Sequence, residues 1–148
     1  MNRTKKRILS LIPALSMMII IFYFSSQTAE TSSESSYSIA TEITNLMGRP
    51  DSVLIVETII RKLAHCFEYA LLAVFLSFHF SIAQYKYCNR FLSAMIVTVL
   101  YATTDEIHQL FVPGRSGQLT DVLIDSVGAL IGCLFFSYIC YKIKKKNY

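Results

Sequence analysis

ILSLIPALSMMIIIFYF, residues 8–24, carries no charged side chain, and Arg3, Lys5, Lys6 and Arg7 stand directly before it. A helix needs about 20 mostly apolar residues to cross the hydrocarbon of a bilayer, and this run with its flanks comes close. Pro13 falls early in the run, where a membrane helix tolerates it. A basic start followed by an apolar run also describes a signal peptide. This run, however, is longer than a usual signal core, and no small-residue cleavage site follows it. It reads as an uncleaved first membrane helix.

Similar apolar stretches recur at about 63–84, 91–111 and 119–141. With 53% apolar and 16% charged residues in 148, the chain reads as one all-α domain, a polytopic bundle of four transmembrane helices. Basic residues orient it. Ten of the fourteen Lys and Arg fall in the N-terminal tail, in the Lys86–Arg90 loop, and at Lys142, Lys144, Lys145 and Lys146. Only Arg49, Arg61, Lys62 and Arg115 fall on the other side. Positive residues stay cytoplasmic, so the expected topology is N-in and C-in. The net charge of +4 follows from that topology. The basic residues form no surface suited to nucleic acid.

Residues 25–58 then make a long outer loop, rich in serine, with Glu30, Glu34, Glu42, Asp51 and Glu57 set against Arg49. Its first part reads as a mobile polar loop. From Tyr37 on, Tyr37, Ala40, Ile43 and Met47 recur at near-helical spacing. That stripe suits an amphipathic helix on the membrane surface or a cap packed over the outer helix ends. Cys66 has no second cysteine on its side, and Cys88, Cys133 and Cys140 lie toward the cytoplasm. All four read as packing residues rather than as a disulfide framework.

The polar residues inside the apolar stretches gather at one depth. On the second helix Arg61, His65 and Glu68 stand at offsets that put them on one face. On the third, Asp105, His108 and Gln109 share a face, with Glu106 turned aside. On the fourth, Asp121 and Asp125 continue into Gly128 and Gly132, a small-residue pair that lets a neighbouring helix approach closely. Both aspartates should therefore point into the bundle, and Arg115 in the turn FVPGRSG (111–117) lies over the same end. Counting Arg61, Lys62 and Arg115 against Glu68, Asp105, Glu106, Asp121 and Asp125 leaves the cluster net negative. Protonated histidines, a divalent metal ion or a cationic ligand group would each balance it.

Ionisable groups within a membrane span are functional candidates by default, although buried ion pairs also serve only to fix helix register. His79, nearer the other end, reads as a simple hydrogen-bonded histidine. Two histidines among carboxylates suit a divalent ion, yet no H-E-x-x-H motif is present. No Ser-His-Asp set is visible by spacing, while Asp121 or Asp125 with His65 has the chemistry for proton transfer.

At these residues the chain resembles the VanZ-like family. The matching strings are FYFSSQ (22–27), RKLAHCFEYALLA (61–73), TDEIHQLFVPGRSGQLTDVLID (104–125) and SVGALIG (126–132). The resemblance covers most of the chain. It implies a multi-pass protein of the bacterial plasma membrane, in a family some of whose members lower sensitivity to teicoplanin. It also marks a polar set at Arg61, Lys62, His65, Glu68, Tyr69, Asp105, Glu106, His108, Gln109, Arg115, Asp121 and Asp125. Two functions remain open at this point. One is binding of a lipid-linked envelope precursor or a glycopeptide group at an acidic-rimmed outer site, with membrane lipids as neighbours. The other is an intramembrane enzyme acting on a phospholipid or polyprenyl phosphate. A transporter is least attractive without an inverted repeat.

Overall fold

The computed structural model describes residues 2–146, and every regular element among them is helical. In chain order these are α1 (Arg3–Ser25), α2 (Ala29–Leu46), α3 (Val53–Ile82), α4 (Tyr87–Gln109) and α5 (Leu119–Lys146), with a 3-10 turn at Pro50–Ser52 before α3. Three segments, Arg3–Ser25, Pro50–Ile82 and Leu119–Lys146, are long and apolar enough to cross a membrane. α4 is as long as α1, but it carries Arg90, Thr98, Thr103, Thr104 and Asp105 and does not reach that measure. Among the described residues three helices meet that measure, and α4, read from the sequence as a fourth span, is the more polar one.

Cross-helix contacts fix the directions. Lys62 of α3 pairs with Asp121 at the start of α5, and farther along Ser77 Oγ meets Cys133 Sγ at 3.6 Å. α3 and α5 therefore run side by side in the same direction. α1 runs against them: Arg7 Nη2 donates to the Ala83 carbonyl at 3.0 Å, and Ser10 Oγ lies 3.0 Å from His79 Nδ1. That contact gives His79 the plain hydrogen-bonded role read from the sequence. Tyr101 OH donates to the Met18 carbonyl at 2.6 Å, tying α4 to α1.

Small residues let these helices approach. Ala14, Ala73, Ala94, Ala102 and Ala129 have no exposed surface. A Cβ added to Gly128 would collide with the Cys66 carbonyl, and one on Gly132 with the Ala70 carbonyl. Those carbonyls are one turn apart on α3, so α5 lies against it at backbone distance, as the G-x-x-x-G reading expects. The outside is the reverse of a soluble protein. Ile19, Leu63, Phe67, Leu100 and Phe135 are all more exposed than buried. Such extensive apolar surface requires a covering, and lipid supplies one.

The segment expected as a mobile polar loop is helical from Ala29 on. Thr28 Oγ1 accepts the Thr31 N–H at 3.4 Å, and Glu30 in the first turn suits the helix dipole. The face that docks on α3 is Ser36, Ala40 and Thr44, while Tyr37, Ile39, Ile43 and Met47 look outward. The apolar stripe read from the sequence thus includes Ala40 but otherwise lies on the far side. Small side chains make the docking seam because Glu57 needs a donor there: Ser36 Oγ donates to Glu57 Oε1 at 3.0 Å. α2 stops at Gly48, whose φ of +67° ends the helix without a Cβ penalty. α3 then begins ten residues ahead of the expected apolar start, because the 3-10 turn and Val53–Lys62 extend it beyond the apolar core.

Candidate functional site

The start of α3, the end of α4, the start of α5 and the α4–α5 turn enclose a pocket of about 320 Å³. Its charged lining is Arg61, Lys62, Arg115, Asp121 and Asp125, with His65 and Gln109 beside them. Lys62 Nζ meets Asp121 Oδ1 at 2.6 Å, and Arg61 Nη1 lies 3.6 Å from Glu57 Oε1 one turn back on its own helix. Arg115 is held by carbonyls at the end of α1: Nε donates to Gln27 at 3.1 Å and Nη2 to Phe24 at 3.4 Å. The Ala29 N–H donates to the Pro113 carbonyl at 3.3 Å and closes the same corner. Burial first, and Arg61 next, press Arg115 below the usual guanidinium range, yet an arginine stays protonated. The turn needs Gly114 at φ +75°, where a Cβ would press on Ala29 Cβ at 3.0 Å.

A second opening of about 250 Å³ lies between α1, α2 and α3. Phe24, Ile39, Ile60 and Ala64 give it an apolar wall, and Ser32, Ser35, Ser36 and Glu68 a polar edge. Arg61, His65 and Arg115 line both openings, so these three side chains form the partition between a polar chamber and a more apolar groove.

Below the pocket lies a buried polar layer. Asp125 is 1% exposed, and neither carboxylate oxygen has a hydrogen-bond partner. Asp105 receives Gln109 Nε2 at 3.4 Å on Oδ2, but Oδ1 is unpartnered. His65 Nδ1 is likewise buried without a partner, while Tyr69 OH stands close to Asp105 and the Tyr69 ring lies 6.4 Å from that of Tyr101. Buried polar groups are nearly always satisfied. Unpartnered buried groups gathered in this way make the layer a candidate site.

The family model described as VanZ/LLP1 matches residues 10–141, which takes in all of this site and nearly all of the bundle. The chain belongs to the VanZ/LLP1 family. Among curated proteins and among solved structures, no match is found.

Within this VanZ/LLP1 bundle the sequence-expected set divides. Arg61, Lys62, His65, Gln109, Arg115, Asp121 and Asp125 meet at the polar pocket, and Glu68 lines the groove. Tyr69 and Asp105 lie in the layer beneath. Glu106, read as turned aside, lines neither opening. It is buried, and Oε2 accepts the Gln118 N–H at 2.8 Å ahead of α5, because the α4–α5 turn folds back over it. His108 faces α1, its ring 4.7 Å from that of Phe22, and does not line either opening. Asp121 sits at the rim rather than in the interior. The negative balance expected of the cluster counts eight residues at this end of the bundle, whereas the pocket lining alone holds three cations and two carboxylates. Glu68, Asp105 and Glu106 lie outside that lining, a division that a count along the chain does not register. Among the described residues no three His, Cys, Asp or Glu side chains converge as a metal-binding group.

Sequence reasoning missed Glu57, placed with the loop acids, although its i, i+4 spacing to Arg61 was the available signal. It also missed Ser36 and Gln118, whose roles depend on partners 21 and 12 residues away.

Proposed function

We propose that this VanZ/LLP1 protein is a four-span protein of the bacterial plasma membrane, N-in and C-in, that takes the phosphate-bearing head group of a membrane amphiphile from the outer leaflet. The carrying observation is the shared partition: Arg61, His65 and Arg115 line both the polar chamber and the apolar groove. A phosphate held by guanidinium donors on one side, with its chain leaving along Phe24, Ile39 and Ile60, matches that division. α4 serves as the fourth span. Its outward residues Leu92, Ile96 and Leu100 form an exposed apolar stripe, while Ala94, Thr98 and Ala102 face inward. The two guanidinium groups on the partition, which fit phosphate oxygens in pairs, favour a lipid-linked phosphate over a cationic glycopeptide group. Teicoplanin tolerance, where it accompanies such a protein, would then arise through a lipid-linked envelope precursor.

A catalytic reading rests on a separate observation. Asp125 has two unpartnered oxygens below the phosphate donors, and His65 lies on the partition. Proton-transfer groups next to guanidinium donors are what a hydrolase or transferase of phospholipid or polyprenyl phosphate would use.

The test uses Asp125→Asn and His65→Gln, both nearly isosteric, expressed in a susceptible host. Membrane level, teicoplanin tolerance and turnover of labelled lipid are scored together. Normal membrane levels with lost activity are expected. Full activity in both variants at normal levels would reduce the cluster to scaffolding.

A further inference from the structure

At the other end of the bundle α4 and α5 part to leave an opening of about 600 Å³. Its buried member is Arg90, 8% exposed, and Tyr87, Tyr138, Tyr141, Ser137 and Lys144 stand around it. The guanidinium carbon lies 5.3 Å from the Tyr87 ring centre and 5.2 Å from that of Phe136. Its hydrogen bond is Nη1 to Cys140 Sγ at 4.0 Å, a weak acceptor. The ion pairs among the described residues are Arg61–Glu57 and Lys62–Asp121, both at the far end.

Among the described residues Arg90 has no ion-pair partner. No Asp or Glu occurs between Glu68 and Asp105, and none after Asp125. Those stretches contain most of both helices that wall the opening. Lys142, Lys145 and Lys146 add further positive charge beside Lys144. A guanidinium that is mostly withdrawn from water needs an anion or a full set of acceptors, and aromatic faces supply only part of that. No such partner stands among the described residues, and an anion from outside them would supply it. Three exposed tyrosines belong at the level of lipid head groups, and a guanidinium fork fits phosphate oxygens in pairs.

We infer that this opening between α4 and α5 binds a phosphate group through Arg90 and Lys144, carried by a phospholipid of the adjacent leaflet or free as the ion. It is separate from the polar pocket and does not depend on the role of that pocket.

The full chain, purified in uncharged detergent, is melted while phosphatidylglycerol, inorganic phosphate or diacylglycerol is added. A ligand of the folded state raises the melting temperature, so phosphatidylglycerol should raise it with a saturating midpoint and diacylglycerol should not. A parallel rise with inorganic phosphate assigns the free ion as a sufficient ligand; a rise with the lipid alone assigns the head group. Arg90→Gln should move the midpoint up by about tenfold or more, the weight of a charged hydrogen-bond pair. Lys144→Gln should move it about threefold, as befits an exposed partner. If Arg90→Gln does not fold, Ser137→Phe fills the opening with Arg90 intact, and the same loss is expected. The inference is overturned if neither phosphate ligand stabilises the protein. It is equally overturned if the midpoint is unmoved in Arg90→Gln, or in Ser137→Phe where that variant replaces it.

Discussion

Gly132→Leu tests the contact on which the whole site rests. The backbone of α5 reaches α3 so closely that a Cβ at Gly132 meets the Ala70 carbonyl, and one at Gly128 meets that of Cys66. No rotamer removes a Cβ, and a helix carbonyl cannot swing aside, so α5 itself has to move. Overpacking a fitted interior costs about 1–3 kcal/mol, and a backbone obstacle puts these positions at the upper end. Leucine regains about 1 kcal/mol over glycine in helix propensity, leaving a net loss of about 2 kcal/mol. For a chain of this size that lowers the melting temperature by about 4–8 °C. The assay is thermal unfolding in detergent followed by far-UV circular dichroism. Val127→Leu, on the exposed face of the same helix, is the control and should change stability by less than about 0.5 kcal/mol. Because one outward shift of α5 relieves both collisions, Gly128→Leu with Gly132→Leu should cost less than the sum of the two. A melting temperature unchanged or raised in both single variants would refute the close approach and would turn Asp125 away from α3.

Lys62→Met and Asp121→Asn should each lose less than about 1 kcal/mol, since the pair is over one-third exposed on the lysine side and solvent screens it. Both should nevertheless weaken lipid head-group binding, measured by native mass spectrometry; full binding in both would remove the pair from the site. Ser36→Ala takes the Oγ donor from buried Glu57 and leaves it Arg61 at 3.6 Å. A loss of about 1–2 kcal/mol should appear as faster amide exchange confined to α2, and unchanged exchange would show that the seam is held by Ala40 and Thr44 instead. Single cysteines in a background without the native four should label from outside intact cells at position 33 and not at 145. The opposite pattern would invert the proposed topology.

Sequence and tertiary structure divide the protein in a regular way. Membrane class, helix number within the apolar runs and the packing face of α5 were legible in the chain, because each depends on neighbours within about two turns. Leu, Ile and Phe in runs without charge specify a lipid-facing helix by composition alone. Gly128 and Gly132 four apart specify where a partner helix can come near. His65 and Asp125 were also legible, since an ionisable side chain inside an apolar run is costly wherever the run ends up. What the chain could not disclose was the pairing between segments. Glu106 and His108 are two residues apart and equally polar, yet one is folded under the α5 start and the other rests on Phe22. The serine-rich stretch has little intrinsic drive to be helical. It becomes α2 because Ser36, Ala40 and Thr44 fit against α3 and satisfy Glu57. The charge of the pocket is of the same kind: a sum over sequence neighbours counts every carboxylate, whereas the lining depends on which side chains turn toward one volume. Local periodicity determined the helices and their faces, and only long-range packing decided which polar groups meet.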